Sequence, residues 1–368
     1  MNGRVAVLAW GLVLAATRLS AQTAPEWRFV EELRIGSEND DPSGFSDIRG
    51  ILVDRQGNIW VLEFSTQEIR IFDSSGHHVR NIGRKGQGPG EFIYPDGMAL
   101  APDGLVWVHD PQNARFSIFS QDGKFVRQQL AVSRGYGYVW RGGIDSKGRI
   151  WDALIENSPD ARMRRASGDW KQVDTLSLPV CRLASASPEA AVIKLPRGGM
   201  TLPYYPGPVT AVDYSSGTMW CAPTSAEYRV FRVGMEKPDT LARISLRAEP
   251  VPVTSQERDS VIAGVKEFMK KAGEVSVDWS RIPKYKPLLV GAFVDSDGRL
   301  WLQRENLASR SVLDVFSSLG KPLGTVRFPF PVQTYKTPQI HGNTVYLISQ
   351  QPGEVPYVIR GHLLMPNR

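Results

Sequence analysis

Residues 54–60 read DRQGNIW. The same phrase, a polar turn closed by glycine and followed by an aliphatic residue and an aromatic, recurs at 101–107 (APDGLVW), 145–151 (DSKGRIW), 214–220 (YSSGTMW) and 295–301 (DSDGRLW), with a weaker copy, HGNTVY, at 341–346. The copies stand about 45 residues apart where nothing intrudes, a spacing that fits one four-stranded propeller blade per repeat. Around the first copy, the apolar run 50–53 predicts an inner strand, 59–62 a second, and EIRIFD (68–73), with its alternation, a half-buried third; SSG then turns into a fourth at 77–82. The second copy repeats this with FSIFS (116–120), QDG and KFVRQQL, and the fifth with VLDVF (312–316), SSLG and KPLGTVRF.

The two ends of the chain supply a topological check. The last repeat offers TPQIHG, TVYLIS and YVIRGHLL and stops one strand short, while EWRFVEELRIG (26–36) precedes the first inner strand and resembles the fourth strands elsewhere. It is expected to pair into the last blade and close the ring, removing an edge that would otherwise recruit other chains. The predicted fold is therefore all-β, a six-bladed β-propeller of four-stranded blades with an N-terminal strand closing the last blade and one inserted helix.

Two intervals exceed the period and hold insertions, at about 183–207 and 250–285. In the second, Thr254 and Glu257 have capping-box spacing, Val261, Val265, Phe268 and Met269 share one helical face, and Gly273 follows Lys270 and Lys271 at the C-terminal end. An amphipathic stripe of this kind usually buries against its own domain, so the helix reads as a brace on the rim of blade four, with a lid or partner-docking helix as the alternative.

The first residues, MNGRVAVLAWGLVLAATRLSAQ, combine Arg4, an apolar run from Val5 to Ala16 and small residues ending at Ala21, the layout of a secretory signal peptide over 1–21. The run is shorter than the roughly 20 residues of a membrane span. Export to the periplasm or extracellular space follows, with 22–368 as one propeller domain. Export permits a disulfide between the two cysteines, Cys181 and Cys221, and two separately buried thiols are equally compatible with the spacing. The formal charge of +6 falls to about +4 once Arg4 and Arg18 leave, without a Lys/Arg cluster, which argues against nucleic acid.

Residues 83–119, GRKGQGPGEFIYPDGMALAPDGLVWVHDPQNARFSIF, closely resemble the NHL repeat. Asp110, Asn113 and Arg115 match that family's D-x-x-N-x-R segment. Blade one keeps GSENDDPSGF, Gln67 and Arg70, and blades three to six keep little beyond the turn and the aromatic. As a whole the chain looks like the exported bacterial six-bladed propellers of NHL type, with TolB-like architecture, a group with no common chemistry. Propellers of this and neighbouring families include metal-dependent lactonases, lyases and pure binding modules, and fold alone does not choose among them.

The residues favour binding. The glycines at 83–90 follow a strand and lead into a strand, so no helix N-terminus awaits a phosphate; they give backbone freedom for the crossing between blades, with Phe92 plugging between them. Five histidines, His77, His78, His109, His341 and His362, divide between two faces and are not placed to share zinc, with His109 expected alone near the loop face. The inner-strand starts offer Asp47, Arg49, Asp96, Trp140, Arg141, Thr210 and Gln339, a mixed set without the acidic ring a calcium-dependent lactonase would use. H-E-x-x-H, G-x-S-x-G and C-x-x-C are all missing. Fourth-to-first and second-to-third loops emerge on one rim, where Arg49, Arg84, Lys85, Asp96, Asp110, Asn113, Arg115, Trp140, Arg141 and Arg304 are the candidate binding residues. Of these, Asp110, Asn113 and Arg115 also read as a bracket tying loops together. The expected role is a binding or scaffold module for a protein, peptide or small-molecule ligand, without nucleic acid and without a membrane span once the signal is cleaved. No cofactor is evident, and calcium enters only with the alternative, a metal-dependent lactonase, hydrolase or lyase at the channel mouth.

Overall fold

The computed structural model describes residues 24–366 apart from 40, 132–138, 141, 155–160, 168–170, 172, 179–191, 197, 238, 274, 306–310 and 352. The repeat phrase folds as expected from its glycine. Gly57, Gly104, Gly148 and Gly298 take φ values of 84°, 85°, 72° and 73°, the left-handed region where a Cβ is penalised, and turn the inner strand of a blade into its second.

Five blades follow along the chain, spanning 48–82, 97–130, 143–178, 209–245 and 289–327, each a four-stranded antiparallel meander. The sixth combines three C-terminal strands, Gln339–His341, Thr344–Ser349 and Tyr357–Leu364, with the N-terminal strand Glu26–Ile35. That strand runs antiparallel to the last, from Arg28 opposite Leu364 to Ile35 opposite Val358, and so closes the ring. Its first residues also pair in parallel with blade 5, Glu26 opposite Thr325 and Trp27 opposite Val326, so one strand ties two blades.

The repeat aromatics explain why the ring closes. Trp60 packs in the cluster between blades 1 and 2, Trp107 between 2 and 3, Trp151 between 3 and 4, Trp220 between 4 and 5, and Trp301 between 5 and 6, while Tyr346 completes the sixth interface with blade 1. Every blade thus buries its own aromatic against its successor, and the apolar area removed from water is distributed around the ring. Phe92 is wholly buried among Leu62, Ile69 and Ile71 of blade 1 and Phe119 of blade 2, the plug expected from sequence; Phe45 does the same between blades 6 and 1.

Both insertions leave fourth-to-first connections of adjacent blades and therefore emerge on the same face as the glycine-rich loop. The first contains the hairpin Val192–Leu195 and Gly198–Thr201, the second the helix Ser255–Ala272 with its capping box of Thr254 and Glu257. The helix does not brace the rim of blade four. Val265 and Met269 join Ile193, Leu202 and Ile282 in a small core of their own, so the two insertions form one cap. Phe268, expected on the buried face, is half exposed, because the hairpin covers the Val265–Met269 side of the helix and leaves Phe268 beyond its edge. Gly273 ends the helix at φ 109°, where a Cβ would stand 2.7 Å from Pro196 of the hairpin. No helix among the described residues is long and apolar enough to cross a membrane.

Candidate functional site

Register fixes the axial end of the molecule. Three residues before the partner of each repeat aromatic, the chain enters its innermost strand, and this position holds Arg49, Asp96, Trp140, Pro208, Val290 and Lys336 in blades 1 to 6. At these six positions charge falls on one arc, blades 6, 1 and 2. Lys336 precedes the short inner strand of the last repeat, and the offset from the partner of Tyr346 places it in the ring.

At the centre of the arc Asp47 holds both cations. Arg49 Nε and Nη2 reach Asp47 Oδ2 at 2.9 and 2.8 Å, and Lys336 Nζ lies 3.9 Å from Oδ1. The two cations are almost fully buried, at 5% and 3% exposed, so Arg49 is a fixed strut and not an open rim residue. Its guanidinium lies over the Phe64 ring at 3.9 Å and near that of Tyr94 at 5.7 Å, planar stacking that lysine could not reproduce. Burial brings the Lys336 ammonium down to about 8 despite Asp47, and Arg49 adds to the depression. Tyr335, next in the chain, stands 43% exposed at the same place, its phenol pushed up by burial of the ring.

Behind the arc, two carboxylates at equivalent strand ends hold the loops. Glu63 accepts from the backbone N–H groups of Ser46, Asp47 and Ser65, and Asp110 from those of Ile93 and Tyr94 and from Asn113 Nδ2 at 2.8 Å. Arg115 donates to the carbonyls of Gln87, Gly88 and Glu91, and Arg70 in blade 1 to those of Pro42 and Gly44. Asp110, Asn113 and Arg115 are thus the bracket that shapes the glycine-rich loop. Within that loop Gly86 N–H donates to the Phe92 carbonyl and Gly88 N–H to Glu91, donors spent on the loop itself.

His109, the histidine placed by sequence near the loop face, is held within the fold. It lies 2% exposed with Nδ1 2.7 Å from Asp96 Oδ1 and its ring stacked on Trp140 at 5.3 Å, while Trp140 Nε1 donates to Asp152 at 3.2 Å. Burial raises the Asp96 carboxyl. Asp96 and Trp140 accordingly join blades 2 and 3 beneath the mouth. Arg304 is apart from them, half exposed and 3.0 Å from Asp314, which also accepts from Tyr228 and Thr325 between blades 4 and 5. Arg84 and Lys85 are exposed on the loop face, Arg84 paired with Glu91 at 2.8 Å.

Arg141 and the leader 1–21 lie outside the described residues. Cys221 is buried and disulfide-bonded; the chain's other cysteine, Cys181, lies outside them too. No group of three or more His, Cys, Asp or Glu placed to hold a metal occurs among the described residues.

Residues 38–103 match a family model described as a 6-bladed beta-propeller. The chain is 41% identical over 58 residues to RING finger protein nhl-1 of Caenorhabditis elegans, a match that covers 16% of this chain and 6% of that protein. Among solved structures, a member of the duf4221 family from Bacteroides vulgatus superposes with a TM-score of 0.52 at 11% identity, covering 94% of this chain and all of the other. The RRP9 WD40 repeats give the same score at 10% identity over 91% of this chain and all of theirs. At such identities the likeness carries the fold alone. The chain is a six-bladed β-propeller, NHL-like in its repeats.

Proposed function

We propose that the protein is an exported binding module, without chemistry of its own, that takes its ligand at the axial mouth on the loop face. The observation that carries this reading is the state of the mouth's carboxylates. Asp47 is held by Arg49 and Lys336, Glu63 and Asp110 by backbone N–H groups, and Asp96 by His109, so each acts as a tie within the fold. A general acid, base or oxygen ligand would have to be released from such a tie before it could act. What the mouth offers a ligand is the half-exposed Tyr335 with Phe64 and Tyr94 around the Arg49 guanidinium, flat amphipathic surfaces that favour binding. The leader pattern supports export, and the absence of a basic cluster supports a ligand other than nucleic acid.

Two assays test this together. Chromogenic esters, lactones and phosphoesters, each with added calcium or zinc, are expected to give no turnover above the Asp47→Asn variant; turnover that this variant abolishes would overturn the reading. In ligand-observed NMR, an aromatic fragment set is expected to yield binders that Tyr335→Ala loses. Binders indifferent to that substitution would move the site away from the mouth.

A further inference from the structure

The cap carries a second surface that the mouth does not explain. Between the last turns of the helix and the chain returning from it lies a groove of about 410 Å³, lined by Lys266, Met269, Lys270, Val275, Val277 and Trp279. Met269 is its buried floor, and Val275, Val277 and Trp279 are half-buried walls that also support the cap core. We propose that this groove docks an extended, acidic segment of a partner protein, with an apolar side chain on Met269 and Trp279 and its backbone paired to residues 275–277.

The backbone is the first reason. No hydrogen bond among the described residues uses the N–H or C=O of Val275, Ser276 or Val277, although the two valines are half-buried. The three side chains alternate, valines inward and Ser276 exposed, as they do in a strand. An unpaired strand-like edge beside an apolar groove is the template on which extended peptides add themselves, main-chain bonds giving affinity and alternate side chains giving specificity. Nucleic acid or lipid would leave those backbone groups unmet.

Charge is the second reason. Lys266 forms no ion pair among the described residues, and Lys270 pairs only with Glu267, both side chains being 62% exposed. An exposed pair of this kind is weak, and a partner carboxylate competes for it. Lys271 follows on the same turn, while the nearby Asp278 carboxylate is engaged by the N–H and hydroxyl of Ser280. The rim is therefore cationic around an apolar floor, and its complement is a chain alternating acidic and apolar residues.

The probe is a fluorescein-labelled octapeptide alternating Glu with Leu and Phe, titrated with the whole exported chain by fluorescence anisotropy. Saturable binding is expected. It should weaken at least tenfold in the Lys266→Glu/Lys270→Glu double variant, at least tenfold when Lys replaces Glu in the peptide, and comparably when the peptide backbone is N-methylated. Arg49→Ala should leave it unchanged, separating this groove from the mouth. Equal binding of the N-methylated or charge-reversed peptide, or indifference to the double variant, would overturn the proposal. So would light scattering that shows the chain dimerising through this face, a dimer that Val277→Arg dissolves. The peptide-side changes keep the test decisive whatever the substitutions do to the cap.

Discussion

The indole N–H of Trp60 donates to a carboxylate oxygen of Asp54 at 3.0 Å where both side chains are buried. Trp151 does the same with Asp145 at 2.8 Å and Trp301 with Asp295 at 2.7 Å. In each case the second carboxylate oxygen accepts the N–H groups two and four residues on, so one aspartate fastens both the turn and the interblade aromatic. Blade 2 has Ala101 at this position. Asp103 takes over one turn N–H, that of Leu105, but Trp107 Nε1 is buried without a hydrogen-bond partner among the described residues.

Ala101→Asp is therefore expected to stabilise the protein, because the backbone turn at 101–105 already matches that of the other blades. One restored bond to a buried donor contributes about 1 kcal/mol, and a chain of this size gains roughly 1–3 °C in melting temperature. Asp145→Ala should cost more, about 2–3 kcal/mol, since it orphans several donors at once. Urea unfolding measures both; a destabilising Ala101→Asp would show that the blade 2 interface has no room for the clasp.

The glycine-rich loop yields a sharper contrast. Gly83 has φ 78°, and a Cβ there would stand 2.2 Å from the Phe92 ring, whereas a Cβ on Gly50 meets nothing within 4 Å. Gly83→Ala is expected to destabilise by about 2–3 kcal/mol, from backbone strain added to displacement of the plug. Gly50→Ala should lie within about 0.5 kcal/mol of the wild type. Similar losses at the two positions would contradict the plug.

Lys336 predicts a pH dependence. With its ammonium at about 8 in the folded protein against 10.5 unfolded, the unfolded chain binds more protons between those values, so stability rises with pH across that window and the cost of burying the charge is borne in full below it. That cost is of the order of 3 kcal/mol. Lys336→Met should stabilise the protein at pH 7 by a part of this, less what Asp47 loses, and should flatten the rise between pH 8 and 10.5. Unfolding free energies of both proteins over that range give the comparison, and parallel curves would mean that Asp47 fully offsets the burial.

The fold was legible in the sequence because one phrase does three things at once. It turns the backbone through glycine, fastens the turn through aspartate and supplies the aromatic that each blade buries in the next, so Trp60, Trp107 and Trp301 announce interfaces as well as strands. The bracket of Asp110, Asn113 and Arg115 was legible for the same reason, being local to one loop. The mouth was legible only as separate residues. Arg49, Asp47 and Lys336 come together through ring closure, nearly 290 residues apart in the chain. The joining of the two insertions into one cap is equally non-local. Phe268 shows the converse limit: helical periodicity gives a face but not how far its neighbour extends.

Glu257 serves both as the third residue of the capping box and as the partner of Lys286 Nζ, where the second insertion returns towards blade 5. Lys286 is 4% exposed, near the Tyr204 ring, and the Glu305 carboxyl beside it is raised by burial, so its charge has been placed where a fixed anion must answer it. Lys286 and Thr254 hold Glu257 at about 2, below the 4.5 of an unperturbed glutamate. Its contribution is present above about 4.5 and lost as pH falls towards 2. Glu257→Gln should therefore loosen the cap at neutral pH as acid does in the wild type, with amide exchange accelerating over 250–285 while the strands of blades 1 and 2 keep their protection. Lys286→Met should loosen it less, because it removes the buried charge along with the pair, and Glu257 retains its bonds to Thr254. If Glu257→Gln instead accelerates exchange uniformly around the ring, the cap is part of the propeller's cooperative unit and not a separately held addition to it.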